Sequence, residues 1–426
     1  MGDTTTEIDD TTELTTALMS VFLTQDGKQD PYPAYGLVRE HASVVDVGDA
    51  LPKVTARYDL CQQVLKNNRF GQQDDLDRDR WEYYGVTEAE WTARFPKAGE
   101  IGESMLGANP PDHTRLRGLA QKAFTPKTVK QLEPHIVELT DELLDDMGGT
   151  TDVMDKLALR LPINVISEML GVPRSDHDML TPHIRIAVQA LAIFEPDLDK
   201  FQQMYDANQL IAGYFDDLIT QRRATPTDDL LTQLIHAEEA GDTLSHSELI
   251  ATVILLFVAG YETTTNLIGN GLRALLLHPD QLDALRKDRA NLLKPAIEEM
   301  LRYDSPVQAT ARTAREDGLE VDGVAIPKGT QILTLLAGAN RDPRTYGPTA
   351  DEFDIHRLDA APPISFSAGI HYCLGAALAR TEGHIVFDRL LERFPRIEPA
   401  WSADAPPVYR DNVILRGVES LLVDLG

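Results

Sequence analysis

The stretch from Ser245 to Pro279 constrains the chain more than any other. Ser245, with Glu248 three positions on, forms a capping box and marks a helix start. A strongly apolar run follows, and the next stop is His278-Pro279. The spacing predicts about 30 residues of helix, roughly 45 Å, enough to cross a whole domain. A helix this apolar must be buried on most sides. Yet its middle reads Ala259-Gly260-Tyr261-Glu262-Thr263-Thr264-Thr265. Glycine, an acid and a threonine run are poor choices for a buried helix interior. A local rule broken inside a core points to function.

The rest of the chain reads as one mainly α domain with small β-sheets. A length of 426 residues would by itself suggest about two or three domains. No internal repeat and no Gly/Ser-rich linker divides it. We therefore expect a disordered acidic tail over residues 1–16 and a single domain over 17–426. Further helices are expected after Pro110-Pro111-Asp112, from near Pro295 to before Pro306, and from Cys373 to about Phe394. Strands are expected at Ser43–Thr55, in pieces over Thr310–Leu336, and around Val413–Val423.

Charge and cysteine usage exclude several classes. There are 40 Lys+Arg against 68 Asp+Glu, a net charge of −28. So acidic a chain is a poor partner for nucleic acid or an anionic membrane. Its polar opening, MGDTTTEIDD, carries no secretory signal. The apolar run Leu249 to Gly260 is too short to span a bilayer. The expected location is cytoplasmic, and the two cysteines suit a reducing compartment. Cys61 lies in an apolar helical pattern with Leu60, Val64 and Leu65 and reads as core.

Cys373 is different. It lies in Phe366-Ser367-Ala368-Gly369-Ile370-His371-Tyr372-Cys373-Leu374-Gly375, where a glycine-containing loop meets a helix N-terminus. Free amides and the helix dipole there stabilise a thiolate. Without a second cysteine nearby, zinc and iron–sulfur sites are disfavoured. Two readings stand on the residues: a nucleophile with His371 as base, or a single thiolate ligand to haem iron. Gly369 and Gly375 would let a large planar ring come close.

Phe366, Gly369, His371, Cys373 and Gly375 resemble the haem-binding loop of the cytochrome P-450 family. Glu299-Met300-Leu301-Arg302 resembles the family's Glu-x-x-Arg helix, and Phe353 to Arg357 the segment whose arginine joins that pair. Ala259 to Thr264 resembles its oxygen-binding stretch. The order of the motifs is also the family's. The resemblance implies a P-450-like fold with haem b held between two long helices and Cys373 as the thiolate to iron.

It also implies roles for other residues. Phe366 would shield the sulfur. Ala259 and Gly260 would make room for oxygen, with Glu262 and Thr263 relaying protons and Thr263 bonding back to the Ala259 carbonyl. His113, Arg117, Arg312 and His371 would hold the haem propionates. Glu299, Arg302 and Arg357 would form a buried structural brace, although spacing alone favours a surface ion pair. Substrate contacts are expected from Leu256, Ala259, Val307, Gln308, Ala309, Thr310, Val413, Ile414 and Leu415. Gln72 to Glu100, with Trp81, Tyr83, Tyr84, Trp91, Phe95 and a capping box at Thr87/Glu90, would either roof the pocket or pack onto the body.

The activity implied is a monomeric monooxygenase that hydroxylates or epoxidises a largely apolar small molecule with O2. Electrons would come from NAD(P)H through a ferredoxin and a ferredoxin reductase, since the length holds no flavin domain. The setting would be secondary metabolism or catabolism. The alternatives are a haem-thiolate peroxygenase or coupling enzyme, and a haem-binding sensor or recruitment protein. The intact Glu262-Thr263 pair argues against peroxygenase and sensor alike. One basic island stands in the acidic chain: Arg115, Arg117, Lys122, Lys127 and Lys130 fall between His113 and Lys130 with no acid among them. It is the expected docking site for the acidic ferredoxin.

Overall fold

The capping box forms as its residues dictate. Ser245 accepts from the Glu248 N–H, Glu248 reaches back to the Ser245 backbone, and the helix runs His246–Leu277. In this computed structural model the described residues are all but 1–3, 49–50, 74–79, 98–100, 190–196, 240–241 and 359. Helices Arg160–Met169, Arg174–Gln189, Leu198–Ala224, Arg289–Tyr303 and Ala376–Arg393 pack around this central helix. Its Leu249, Val253, Phe257, Leu267, Leu272 and Leu275 all enter the main core. The whole helix is long and apolar enough to cross a membrane, with 67% of its most apolar window buried in the protein. The short run Leu249 to Gly260 understated it, because Glu262 to Thr265 stay helical and extend the element.

Four short strands make the largest sheet, in the spatial order Lys53–Thr55, Gln331–Thr334, Thr310–Ala314, Phe70–Gly71. The first pair is parallel with Val54 opposite Leu333, and the others are antiparallel, with Arg312 opposite Ile332. A three-stranded sheet joins Leu422–Asp424 to Glu398–Pro399 and Thr150–Asp152. The fold is mostly helical with small sheets.

Two local expectations are corrected. The tail expected to be disordered over 1–16 is helical from Thr4 to Leu23. Leu14, Leu18 and Val21 recur at helical spacing and bury against Tyr35 and Val38, which outweighs the polar start. The helix expected from Pro295 begins at Arg289 and holds Pro295 in its interior. Burial of Leu292, Leu293 and Ala296 carries the turn that the proline weakens.

Candidate active site

A cavity of about 1130 Å³ separates the middle of the central helix from the Cys373 loop and the helix after it. Chain geometry puts Cys373 there. The Cys373 N–H donates to the Phe366 carbonyl at 3.0 Å and closes the loop, and the helix Ala376–Arg393 starts just behind it. Gly369 takes φ +69°, and a Cβ there would run into the Leu65 carbonyl. That backbone constraint, rather than room for a ring, is why glycine is needed at 369. Gly375 and Gly260 line the cavity itself.

Of the two cysteines, Cys373 lines the cavity and Cys61 is buried elsewhere. Cys373 is exposed, but the opening it faces is this cavity, and burial pushes its thiol pKa up. The backbone N–H groups of Gly375 and Ala376 and the charges of Arg117 and Arg380 act the other way. Phe366 lines the cavity, and the Arg380 guanidinium lies 4.4 Å from its ring centroid.

Donors gather at one side. His113 and His371 face each other with ring centroids 4.3 Å apart. Arg117 donates to the Tyr372 carbonyl at 2.6 Å, and Arg312 donates to Thr310 Oγ1 and the Ala311 carbonyl. Both ring nitrogens of His113 and Nε2 of His371 are buried without a partner among the described residues. Burial, with Arg312, His113 and Arg117 adding to it, pulls the His371 pKa down to about 3. Burial also lowers Arg312 to about 10. Orphan donors and crowded cations with no acid among the partners named call for an anion. A flat group bearing carboxylates, seated in this cavity, fits them.

On the central helix, the Thr263 hydroxyl donates to the Ala259 carbonyl at 3.0 Å, and both residues line the cavity. Glu262 lines it too, but its carboxylate is engaged by Arg410, which also bonds Asn266 at 3.0 Å. Arg410 sits in an irregular loop with no sequence period, so no pattern in the chain marks it. Glu382 is a second acid on the wall, buried on the helix behind Cys373. A lone acid on that helix's apolar face was the signal for it.

The cavity gathers most of the substrate contacts expected: Leu256, Ala259, Val307, Ala309, Thr310, Ile414 and Leu415. Gln308 and Val413 do not line it. Gln308 turns its amide to the Ser305 carbonyl at 2.7 Å, and both border a separate small void. Each is next to a wall residue in an extended segment, where successive side chains point opposite ways. The aromatic insertion divides. Tyr83 and Tyr84 line the cavity, while Trp91 and Phe95 pack on Phe201 of the helix Leu198–Ala224. Part of the stretch Gln72 to Glu100 lies outside the described residues.

Glu299, 4% exposed, accepts from Nε and Nη2 of Arg302 at 2.7 and 2.8 Å, and Arg357 stands 3.5 Å away. Arg302 also donates to the carbonyls of Asn340, Ala350 and Glu352. In the basic island, Arg115 is taken by Glu248 and Asp242 and leaves no free charge. Lys122, Lys127 and Lys130 are exposed.

A family model described as Cytochrome P450 matches residues 84–417. The chain belongs to the cytochrome P450 family. It is 40% identical to Cytochrome P450 107B1 of Saccharopolyspora erythraea, over 93% of this chain and 96% of that one. It is 42% identical to the Vitamin D(3) 25-hydroxylase of Pseudonocardia autotrophica, over 93% and 94%. Among solved structures it is similar to the P450 PksS of the bacillaene polyketide synthase of Bacillus subtilis, with TM-score 0.81 and 37% identity, covering 94% and 98%. As a P450 the chain is an oxidoreductase that incorporates molecular oxygen, and its cofactor is haem with a cysteine thiolate on iron.

Proposed function

We propose that this P450 hydroxylates or epoxidises a largely apolar small molecule of secondary metabolism, with Cys373 as the haem ligand. The observation that carries the reading is Cys373 on the wall of a large apolar cavity, opposite Thr263. Bound haem supplies the iron at which O2 is activated for insertion into a C–H or C=C bond. Everything else falls to the chain. The amides of Gly375 and Ala376 stabilise the thiolate, and Phe366 with Arg380 over its ring keeps water from the sulfur. His113, Arg117, Arg312 and His371 hold the two propionates. Thr263 presents a hydroxyl beside Gly260, fixed by its bond to the Ala259 carbonyl, where protons are needed. Leu256, Val307, Ala309, Ile414 and Leu415 orient an apolar substrate by contact alone. The names of the relatives, a vitamin D(3) hydroxylase and a polyketide synthase P450, support a bulky apolar substrate.

The protein acts in this reading as a cytoplasmic monomer, reduced by NAD(P)H through a ferredoxin and its reductase. Lys122, on the helix whose Arg117 touches the cysteine loop, and Lys127 and Lys130 on the next helix support an acidic electron donor. The test is the spectrum of the reduced protein under CO. The wild type is expected to show the red-shifted band of a thiolate-ligated haem, and Cys373→Ser to lose it while Cys61→Ser keeps it. A band retained in Cys373→Ser sinks the assignment.

A further inference from the structure

Part of the cavity wall comes from two segments far apart in the chain. Pro306, Val307 and Ala309 follow the helix Arg289–Tyr303, while Ile414 and Leu415 come from near the C-terminus. Backbone bonds lace the two together. The Gln308 N–H donates to the Ile414 carbonyl at 2.8 Å, and the Arg416 N–H to the Pro306 carbonyl at 2.9 Å. Val307 and Leu415 pair across this short antiparallel bridge.

Each segment carries a buried charge just outside the wall. Asp304, 4% exposed, lies two residues before Pro306, and Arg416, 6% exposed, follows Leu415. Arg416 Nε donates to Asp304 Oδ1 at 2.6 Å. Its other two nitrogens donate to the carbonyls of Lys28 and Gln29, at the end of the helix Gln25–Gln29, at 2.7 and 2.9 Å. The hydroxyls of Tyr32 and Tyr409 also donate to the Asp304 carboxylate, at 2.8 and 2.5 Å. The Arg416 guanidinium lies 3.4 Å from the Tyr409 ring centroid. From the central helix, the Asn270 amide donates to the backbone carbonyls of Arg416 at 2.9 Å and Asp304 at 3.3 Å. Neither Asp304 nor Arg416 lines the cavity.

Packing alone does not hold this wall. A void of about 10 Å³ lies among Gln308, Val413, Arg410 and Arg416, and Gln308 Oε1 is buried without a partner among the described residues. A buried ion pair adds little net stability over apolar side chains of the same size, because desolvation offsets the attraction. What this one adds is geometry: bonds in fixed directions that admit one placement of the two segments.

We propose that the Asp304–Arg416 pair sets the substrate preference of this P450 by fixing how the two wall segments stand against each other. Both are positioning residues, acting through Val307, Ala309, Ile414 and Leu415 without touching the substrate. The inference deepens the reading of an apolar substrate and rests on it. These wall side chains carry no polar group, so they discriminate by shape alone. Their placement then decides which bulky, rigid apolar molecules fit.

The experiment uses the holoenzyme and two azole probes, imidazole and 4-phenylimidazole. Each binds ferric haem through a ring nitrogen and shifts its absorption, but only the second carries bulk into the cavity. Asp304→Leu combined with Arg416→Met removes the pair without leaving a buried charge unpaired. This double variant is expected to keep the CO signature and the imidazole affinity, and to lose preference for 4-phenylimidazole about tenfold. A purely structural role would lower the unfolding midpoint and leave the ratio of the two affinities where it was. An unchanged ratio, or an equal loss for both azoles, overturns the proposal. If the double variant does not fold, Tyr409→Phe decides, since it removes one bond to Asp304 and keeps the ring. The ratio should then fall about threefold, and a wild-type ratio in that variant overturns the proposal. The azoles need no turnover, so a wild type that binds both yet forms no product sinks the monooxygenase reading while the ratio still decides the wall. A wild type that binds neither sinks the haem assignment and this proposal with it.

Discussion

Two buried glutamates show how a partner decides what a buried acid becomes. Glu299 accepts two bonds from Arg302 and one from the Asp354 N–H at 2.8 Å, with Arg357 beside it. Its charge is matched on every side, as a buried carboxylate requires. Glu382 has no such partner among the described residues, so burial holds it neutral instead. The consequence for stability has a definite sign. Its pKa is raised from 4.5 to about 8 on folding, so the folded state binds the proton more tightly. The stabilisation is fully present below about pH 4.5 and is lost as pH rises through about 8. Between those limits it amounts to something on the order of a few kcal/mol. Denaturant midpoints measured across that window should fall less steeply with pH in Glu382→Gln than in the wild type. Parallel curves would show that Glu382 is ionised in the folded protein. Little of this was legible in the chain. Glu299 and Arg302 show their pairing by spacing, but spacing cannot tell a buried pair from a surface one. The state of Glu382 depends on what is absent around it, which only tertiary packing reveals.

The cysteine loop holds its shape by backbone rules that its sequence states openly. Ser367 at φ 62° and Gly369 at φ +69° turn the chain, and the Cys373 N–H closes it on Phe366. Both turning residues sit in the left-handed region, which is costly for a residue with a Cβ. Gly369→Ala adds that cost to a clash with the Leu65 carbonyl, a backbone atom that cannot swing aside. We expect a loss of about 1–3 kcal/mol and a lower share of chains carrying haem. Thermal unfolding and the haem-to-protein ratio measure both, and an unchanged ratio would mean that the loop tolerates another path. The glycine was visible in the sequence, but its reason was not, because Leu65 lies far away in the chain. The same limit applies to the N-terminal helix. Its polar start hid a stripe of Leu14, Leu18 and Val21 whose partners come from the helix Tyr32–His41 and the sheet edge.

The acidity of the whole molecule gives an exposed basic cluster its importance. A net charge of −28 repels an acidic partner from most approaches, so local positive charge selects the productive one. The fold class and the order of the motifs were legible at this scale, because the long capped helix and the cysteine loop carry the family resemblance. The part each cation plays was not: Arg115 belonged to the basic island in sequence, yet Glu248 and Asp242 neutralise it in space. What remains exposed is Lys122 at the end of one helix and Lys127 and Lys130 in the first turns of the next. Arg117 ties the first of these helices to the carbonyl of Tyr372, the residue before Cys373, so a donor docked there would lie beside the haem ligand. Reversing Lys127 and Lys130 to Glu, neither of which lines the cavity, should slow reduction by an acidic ferredoxin about tenfold at low salt. The same change should flatten the dependence of the rate on ionic strength, since the attraction that salt screens is gone. Arg115→Ala should leave that salt dependence as it was. Stopped-flow reduction across a salt series separates these cases, and equal slopes for wild type and the double reversal would place the electron donor on another face.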